Sequence, residues 1–342
     1  MKLFLFIIFL ICLTETLPGY SQSPVNAREV FFNDTSIIHA TLVTNLDKIM
    51  AGHRKKEIDF PAEFITRLAD SSTRNIRILL EVTGDFRLEF CFLPPVKLKF
   101  KDSASGYPFK SLKLICACKT AGYFDQYLLK EYIIYRIYNL LTDKSFRVRL
   151  VDLDLRDNKN LQKIIRVHAY FLEDLKDVAS RNHCIELKKG KIPSYNTDRR
   201  GMTLLSIFEY MIGNTDWALS ANHNIKFIIP SGDSSARPFA IPFDFDFTGL
   251  VDAYYAILDE RLNFKNAKQR QYLGYPRTME EYEEVLNIFR NQKVKIYTMI
   301  NQFNLLTSES RREMTYYLDE FYEIINDPGL VKLNFITNAI AQ

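Results

Sequence analysis

Between Gly213 and Gly249, four side chains have the types and spacing that phosphoryl transfer needs: Asp216, Asn224, Asp244 and Asp246. Asp216 lies just past an apolar helical pattern. Asn224 leads straight into the strand-like IKFII, and a second run, PFAIPF, ends on Asp244 and Asp246. In the order acid, amide, strand, turn, strand, acid, Asp216 would orient an acceptor hydroxyl. Asn224 and Asp244 would hold Mg²⁺ against the phosphates of ATP. Mg²⁺ keeps waters and takes phosphate oxygens, so two or three such side chains suffice. The competing reading is a surface hairpin whose Asp and Asn residues cap turns. Two apart in an extended segment, Asp244 and Asp246 point the same way, and both are candidate metal ligands. Asp246 is equally placed to hydrogen-bond the turn at Thr248-Gly249. His223 is titratable near neutral pH. Beside Asn224 its expected part is to brace the loop, and Trp217 is expected to pack that loop onto helices.

The elements that must position these residues run strands first, helices last. SIIHATLV (36–43), IRILLEVT (76–83), RLEFCF (87–92), VKLKF (96–100) and LKLICAC (112–118) read as strands, with Gly84-Asp85 as a tight turn. A strongly apolar helix is predicted over 125–141. FRVRLVDLDL (146–155) alternates with period two, and KIIRVHAYFLED (163–174) reads as its hairpin partner. The polar stretch RNHCIELKKGKIPSYNTDRR is predicted to be mobile. Leu204, Ile207, Phe208, Met211 and Ile212 then recur as an amphipathic helix that Gly213 ends. Thr278 to Glu281 form a capping box, 308–325 is a further helix, and VKLNFITNAIA a last short one.

This order, a β-meander, one helix, a hairpin, then catalytic loop and helices, is that of a two-lobed kinase. The predicted fold class is α+β, protein-kinase-like, with an antiparallel β-rich N-lobe (23–174) and a mainly helical C-lobe (175–342). In such a fold a strand lysine binds the phosphates and is steadied by a glutamate on the first helix. Lys113 and Glu131 occupy those places, with Lys99 the competing lysine. A carboxylate in so apolar a helix needs a cationic partner, and Arg136, five residues on, lies off its face.

Met1-Lys2 and LFLFIIFLICL read as a signal peptide over 1–22, since the apolar run is shorter than the roughly 20 residues of a membrane span. Cleavage is expected near Ser21 to Ser23, the alternative being an uncleaved anchor. Later segments carry no span, so the mature chain is expected to be exported, periplasmic or extracellular, and soluble or peripheral. A composition of 47% hydrophobic residues excludes disorder, and a net charge of +4 is too mild for nucleic acid as the main partner. Cys116 and Cys118 share one strand face and do not bridge each other. A bridge from Cys91 to one of them stays open, while buried free thiols are the expectation. Arg54-Lys55-Lys56 reads as a solvated turn.

VTGDFR with Gly84, CFLPPVKLKF, NTDW, the pair His223-Asn224 and IPFDFDFTG together resemble the spore-coat protein H (CotH) kinase-like family, over about residues 75 to 250. That resemblance implies a secreted branch of the protein-kinase-like fold that phosphorylates protein hydroxyls with ATP and Mg²⁺ or Mn²⁺. Carried over by position, Asp216 is the catalytic base, Asn224 and Asp244 bind the metal, and Gly84 belongs to the turn that touches phosphate. The turn departs from the family in reading GDFR. The gap from Asp216 to Asn224 exceeds that of ordinary kinases, which keeps Asn222 as an alternative ligand. Two functional classes follow: an active exported kinase, or an inactive kinase-like binding or scaffold protein of the envelope. A metal-dependent hydrolase using the same acids is a third and weaker reading. The partners expected are a nucleotide and a protein substrate that the sequence does not identify.

Overall fold

The computed structural model describes residues 26–50, 59–67, 72–84, 86–100, 106–120, 122–188, 192–233, 235–257, 262 and 264–339. The expected signal peptide and the Arg54-Lys55-Lys56 turn lie outside them. The chain is a mixed α+β protein. Its first part holds α1 (Ala27–Asn33), β1 (Ile38–Thr44), α2 (Leu46–Met50), β2 (Phe60–Arg67), β3 (Thr73–Val82) and α3 (Phe86–Phe90). β4 (Val96–Phe100), β5 (Ser111–Cys116), α4 (Gly122–Leu141), β6 (Val148–Asp157) and β7 (Ile164–Leu172) complete it. Seven strands close into a barrel in the order β1-β2-β3-β4-β5-β7-β6. Period-two alternation decides what lies inside: Leu42, Phe64, Leu80, Leu98, Leu114 and Phe171 are fully buried. Burying each such side chain contributes about 1.5–3 kcal/mol.

The expected antiparallel sheet is instead a closed barrel. The meander and the β6–β7 hairpin are antiparallel as read, but β1 pairs in parallel with β6, Ile38 opposite Val151, and closes the edge. RLEFCF is not a strand either. Phe86 and Phe90 stack at 5.4 Å on one face of the short helix α3, and β3 meets β4 directly, Val82 opposite Val96. Cys91, just past α3, is bridged to Cys118, while Cys116 and Cys184 are free and buried. The thiol expectation therefore holds for two of the four cysteines.

The second part follows with α5 (Leu175–Arg181), β8 (Cys184–Glu186), α6 (Arg199–Ile212), β9 (Ile225–Pro230) and β10 (Phe239–Pro242). Then come α7 (Met279–Gln302), α8 (Ser308–Asn326), α9 (Pro328–Val331) and a wide helical turn over Lys332–Thr337. β10, β9 and β8 form a small sheet, so part of the stretch expected to be mobile is built into a strand and the Asp198 cap of α6. Gly213 ends α6 in the left-handed region at φ 66°, and the capping box at Thr278 is present. No helix among the described residues is long and apolar enough to cross a membrane.

Helix α4 joins the two parts. It is apolar on nearly every side and correspondingly buried on nearly every side. Tyr135 meets Tyr170 of β7 at 5.7 Å and Phe245 at 4.7 Å, and Tyr138 meets Phe208 of α6 at 4.3 Å. That wedge fixes Glu131 between barrel and helices, where it is 1% exposed.

Candidate active site

A cleft of about 800 Å³ lies beside α4, within the range of small-molecule sites. Gly84, Lys113, Asp216, Asn224, Asp244 and Asp246 all line it. The β9–β10 hairpin explains part of that convergence. Its register sets Ile225 opposite Pro242, so the residue before β9 and the residues after β10 leave the hairpin side by side. The amide of Phe243 donates to the carbonyl of Asn224 at 3.1 Å. Asp216 joins them because the chain folds back through a bridge between Ala218 and His223.

Four hydrogen bonds hold the Asp216 carboxylate and its backbone, one of them from its amide to Asn214 Oδ1 at 2.9 Å. His223 Nε2 lies 2.8 Å from Oδ1, and Asn224 Nδ2 donates to Oδ2 at 3.0 Å and to the Asp216 carbonyl at 2.7 Å. His223 thus braces the candidate base itself rather than the loop alone. Burial pushes the Asp216 carboxyl above its usual range, against the pull of His223 and Asn224. A carboxyl pKa raised toward neutrality suits proton transfer near neutral pH. Trp217 is buried with Leu205 and Phe227, packing the loop against α6 and β9 as expected. Asn222 also lines the cleft, in the left-handed region at φ 52°.

Asn224 and Asp244 sit in the left-handed region too, at φ 53° and 65°. Non-glycine residues there are held by their surroundings. For Asp244 the restraint comes from α4: its amide donates to the Tyr135 hydroxyl at 2.9 Å, and the next amide, of Phe245, to Glu131 at 3.4 Å. The residues fit a cation with phosphate beside it. Asn224 uses Nδ2 in both its side-chain bonds, leaving Oδ1 as an acceptor, and the Asp244 carboxylate is 43% exposed toward the cleft. Among the described residues no group of three His, Cys, Asp or Glu is arranged to hold a metal. One carboxylate and one amide would leave the rest of the shell to water and phosphate, as Mg²⁺ prefers.

The lysine assignments need correction. Glu131 is paired not with Lys113 but with Arg87, whose Nη2 lies 2.8 Å from Oε2. Sequence spacing found the demand for a cation at Glu131 but not its source, because Arg87 arrives from α3 across a long-range contact. The signal available was the arginine of GDFR beside the glycine turn. Lys113 still lines the cleft and makes no ion pair among the described residues; burial pushes its pKa down, with Asp244 pulling it back up. Lys99 is no alternative. It lies opposite Ser111, a dipeptide step along β5 from Lys113, and pairs on the outer surface with Asp59 at 2.7 Å and Glu81 at 2.9 Å.

Asp246 is corrected as well. It is 6% exposed and its Oδ2 accepts from Arg87 Nε at 3.0 Å, so it neither hydrogen-bonds the Thr248 turn nor stands open to a metal. Burial pushes its carboxyl upward and Arg87 opposes that shift. Gly84 sits at φ 106°, a conformation that favours glycine, at the mouth of the cleft.

No family model matches the chain, and no curated protein does. Among solved structures it is similar to a Helicobacter pylori proinflammatory kinase, CtkA, at 12% identity, with 75% of this chain and 94% of that one covered and a TM-score of 0.41. So loose an overlap leaves the functional reading to the cleft itself.

Proposed function

We propose that the protein is an exported ATP-dependent kinase of the two-lobed, protein-kinase-like fold, akin to the CotH family, that phosphorylates protein hydroxyls. The observation that carries this reading is the meeting of Asp216, Asn224 and Asp244 in one cleft, with an Asn224 oxygen and the Asp244 carboxylate left open to it. Asp216, its pKa raised and its orientation fixed by His223 and Asn224, would accept the proton of the attacking hydroxyl. Lys113, which lines the cleft and makes no ion pair among the described residues, would attract phosphate. Asn224 and Asp244 would hold Mg²⁺ or Mn²⁺, which when bound neutralises the phosphate oxygens. The N-terminal apolar run supports export, and so does the Cys91–Cys118 bridge, since disulfides persist in oxidising compartments.

One observation favours the second reading, a binding module that no longer transfers phosphate: Glu131 is paired with an arginine instead of the strand lysine. Thermal unfolding with nucleotide, with and without Mg²⁺ or Mn²⁺, tests whether the cleft takes nucleotide at all. Ligand at a hundred times its dissociation constant should add about 2.7 kcal/mol. Stabilisation without transfer to any hydroxyl, or no stabilisation at all, would remove the kinase reading and leave the inactive binding or scaffold module standing.

A further inference from the structure

Arg87 stands against three carboxylates, and none of the expected roles uses it. It is 9% exposed, yet it lines the cleft. Its Nη2 lies 2.8 Å from Glu131, 3.0 Å from Asp246 and 3.4 Å from Asp244. Nε donates to Asp246 as well, while Nη1 makes no hydrogen bond among the described residues. One guanidinium therefore faces three carboxylates with a donor group still unused.

Its platform is rigid for so short an element. Cys91, whose amide donates to the Arg87 carbonyl at 3.0 Å, is bridged to Cys118, between the strand of Lys113 and the helix of Glu131. Phe86 packs edge-on to Phe247 at 5.1 Å, tying α3 to the segment that carries Asp244 and Asp246.

We propose that Arg87 binds phosphate in this cleft beside Lys113 and, before nucleotide arrives, is the counter-charge that keeps Asp244 from binding a metal. The proposal rests on the kinase reading above and deepens it by assigning the residue that couples nucleotide to metal. A guanidinium suits both tasks. Its donors are fixed in a plane, so Nε and Nη2 can stay on Asp246 and Glu131 while Nη1 meets a phosphate oxygen. Of its three carboxylate contacts the one to Asp244 is longest, and that is the one phosphate would displace. Nucleotide and metal then bind in that order, or together, but the metal does not bind first.

Two titrations test this, with ADP as the nucleotide probe and Mn²⁺ as the metal. In the parent, Mn²⁺ alone should show no saturable binding by electron paramagnetic resonance at submillimolar concentration. In Arg87→Gln, Asp244 without its counter-charge should bind it at least tenfold more tightly. The same variant should bind Mg·ADP at least tenfold more weakly by calorimetry, and Arg87→Lys should fall between the two. Should Arg87→Gln not fold by circular dichroism, Glu131→Gln removes the anchor while lowering the local negative charge, and should weaken Mg·ADP severalfold. Mn²⁺ binding by the parent alone, as tight as by the variant, overturns the shielding of Asp244. Unchanged Mg·ADP affinity in Arg87→Gln, or in Glu131→Gln where only that variant folds, overturns the phosphate role alone. A parent that binds no ADP overturns the kinase reading beneath it.

Discussion

Replacing Glu209 with glutamine should make the protein more stable at neutral pH, by an amount that grows with pH. Glu209 lies on α6 and is 1% exposed. Asn214 Nδ2 donates to its Oε2 at 2.9 Å, while Oε1 has no hydrogen-bond partner. Burial, opposed by Asn214 and reinforced by Asp216, pushes its pKa from 4.5 to about 8. The folded state thus holds a proton that the unfolded state has released. Where a folded pKa is raised, the stabilisation is complete below the unfolded pKa and disappears as pH rises through the folded one. The slope is about −1.4 kcal/mol per pH unit between the two. At pH 7 the deficit is about 3 kcal/mol, above pH 8 about 5 kcal/mol, and at pH 5 under about 1 kcal/mol. A glutamine is neutral throughout, keeps the shape, and still accepts from Asn214. Urea unfolding of parent and Glu209→Gln at pH 5, 7 and 9 should show curves that nearly coincide at the lowest pH and separate progressively above it. A variant that is less stable at every pH, or that keeps the parent's slope, would refute the reasoning.

Two further outcomes follow from the walls of the cleft. Reducing the Cys91–Cys118 bridge, which spans 27 residues, should lower stability by about 3–4 kcal/mol on a chain-entropy account. Thermal unfolding with and without a thiol reductant checks this, and Cys91→Ser should abolish the difference. Gly84→Ala should lower stability by about 1–2 kcal/mol through backbone strain alone. The nearest atom to a new Cβ there is a Pro95 ring carbon at 3.7 Å, which leaves room. Gly84→Asn, which tolerates positive φ better, should recover part of the loss.

How much of this was legible depended on whether the determinant was local. VKLKF is a strand over the bounds read from its alternation, and Thr278 caps its helix as the sequence indicates. The grouping of Asp216, Asn224 and Asp244 was legible because a hairpin and one backfolded loop, both local, bring them together. Barrel closure was not, since the β1–β6 pairing joins strands far apart in sequence and leaves no periodic trace. β2 does carry alternation, with Phe60, Ala62, Phe64 and Thr66 turned inward, but Pro61 weakens its strand signal. Arg87 escaped for the same reason as the closure. The requirement for a cation is written in the apolar setting of Glu131, but which cation answers it is decided by tertiary packing.

The most direct test of the kinase reading compares the parent with Asp216→Ala and Asp244→Ala, using γ-labelled ATP for transfer and calorimetry for nucleotide binding. The parent should transfer label in the presence of Mg²⁺ or Mn²⁺, to itself or to an added protein. Asp216→Ala should still bind nucleotide while transfer falls by about 10²–10⁴-fold, because only proton acceptance is lost. Asp244→Ala should lose Mg²⁺-dependent binding and transfer together, because the carboxylate that holds the ion is gone. Equal, undiminished nucleotide binding and transfer in both variants would contradict the account, as would a parent that binds no nucleotide.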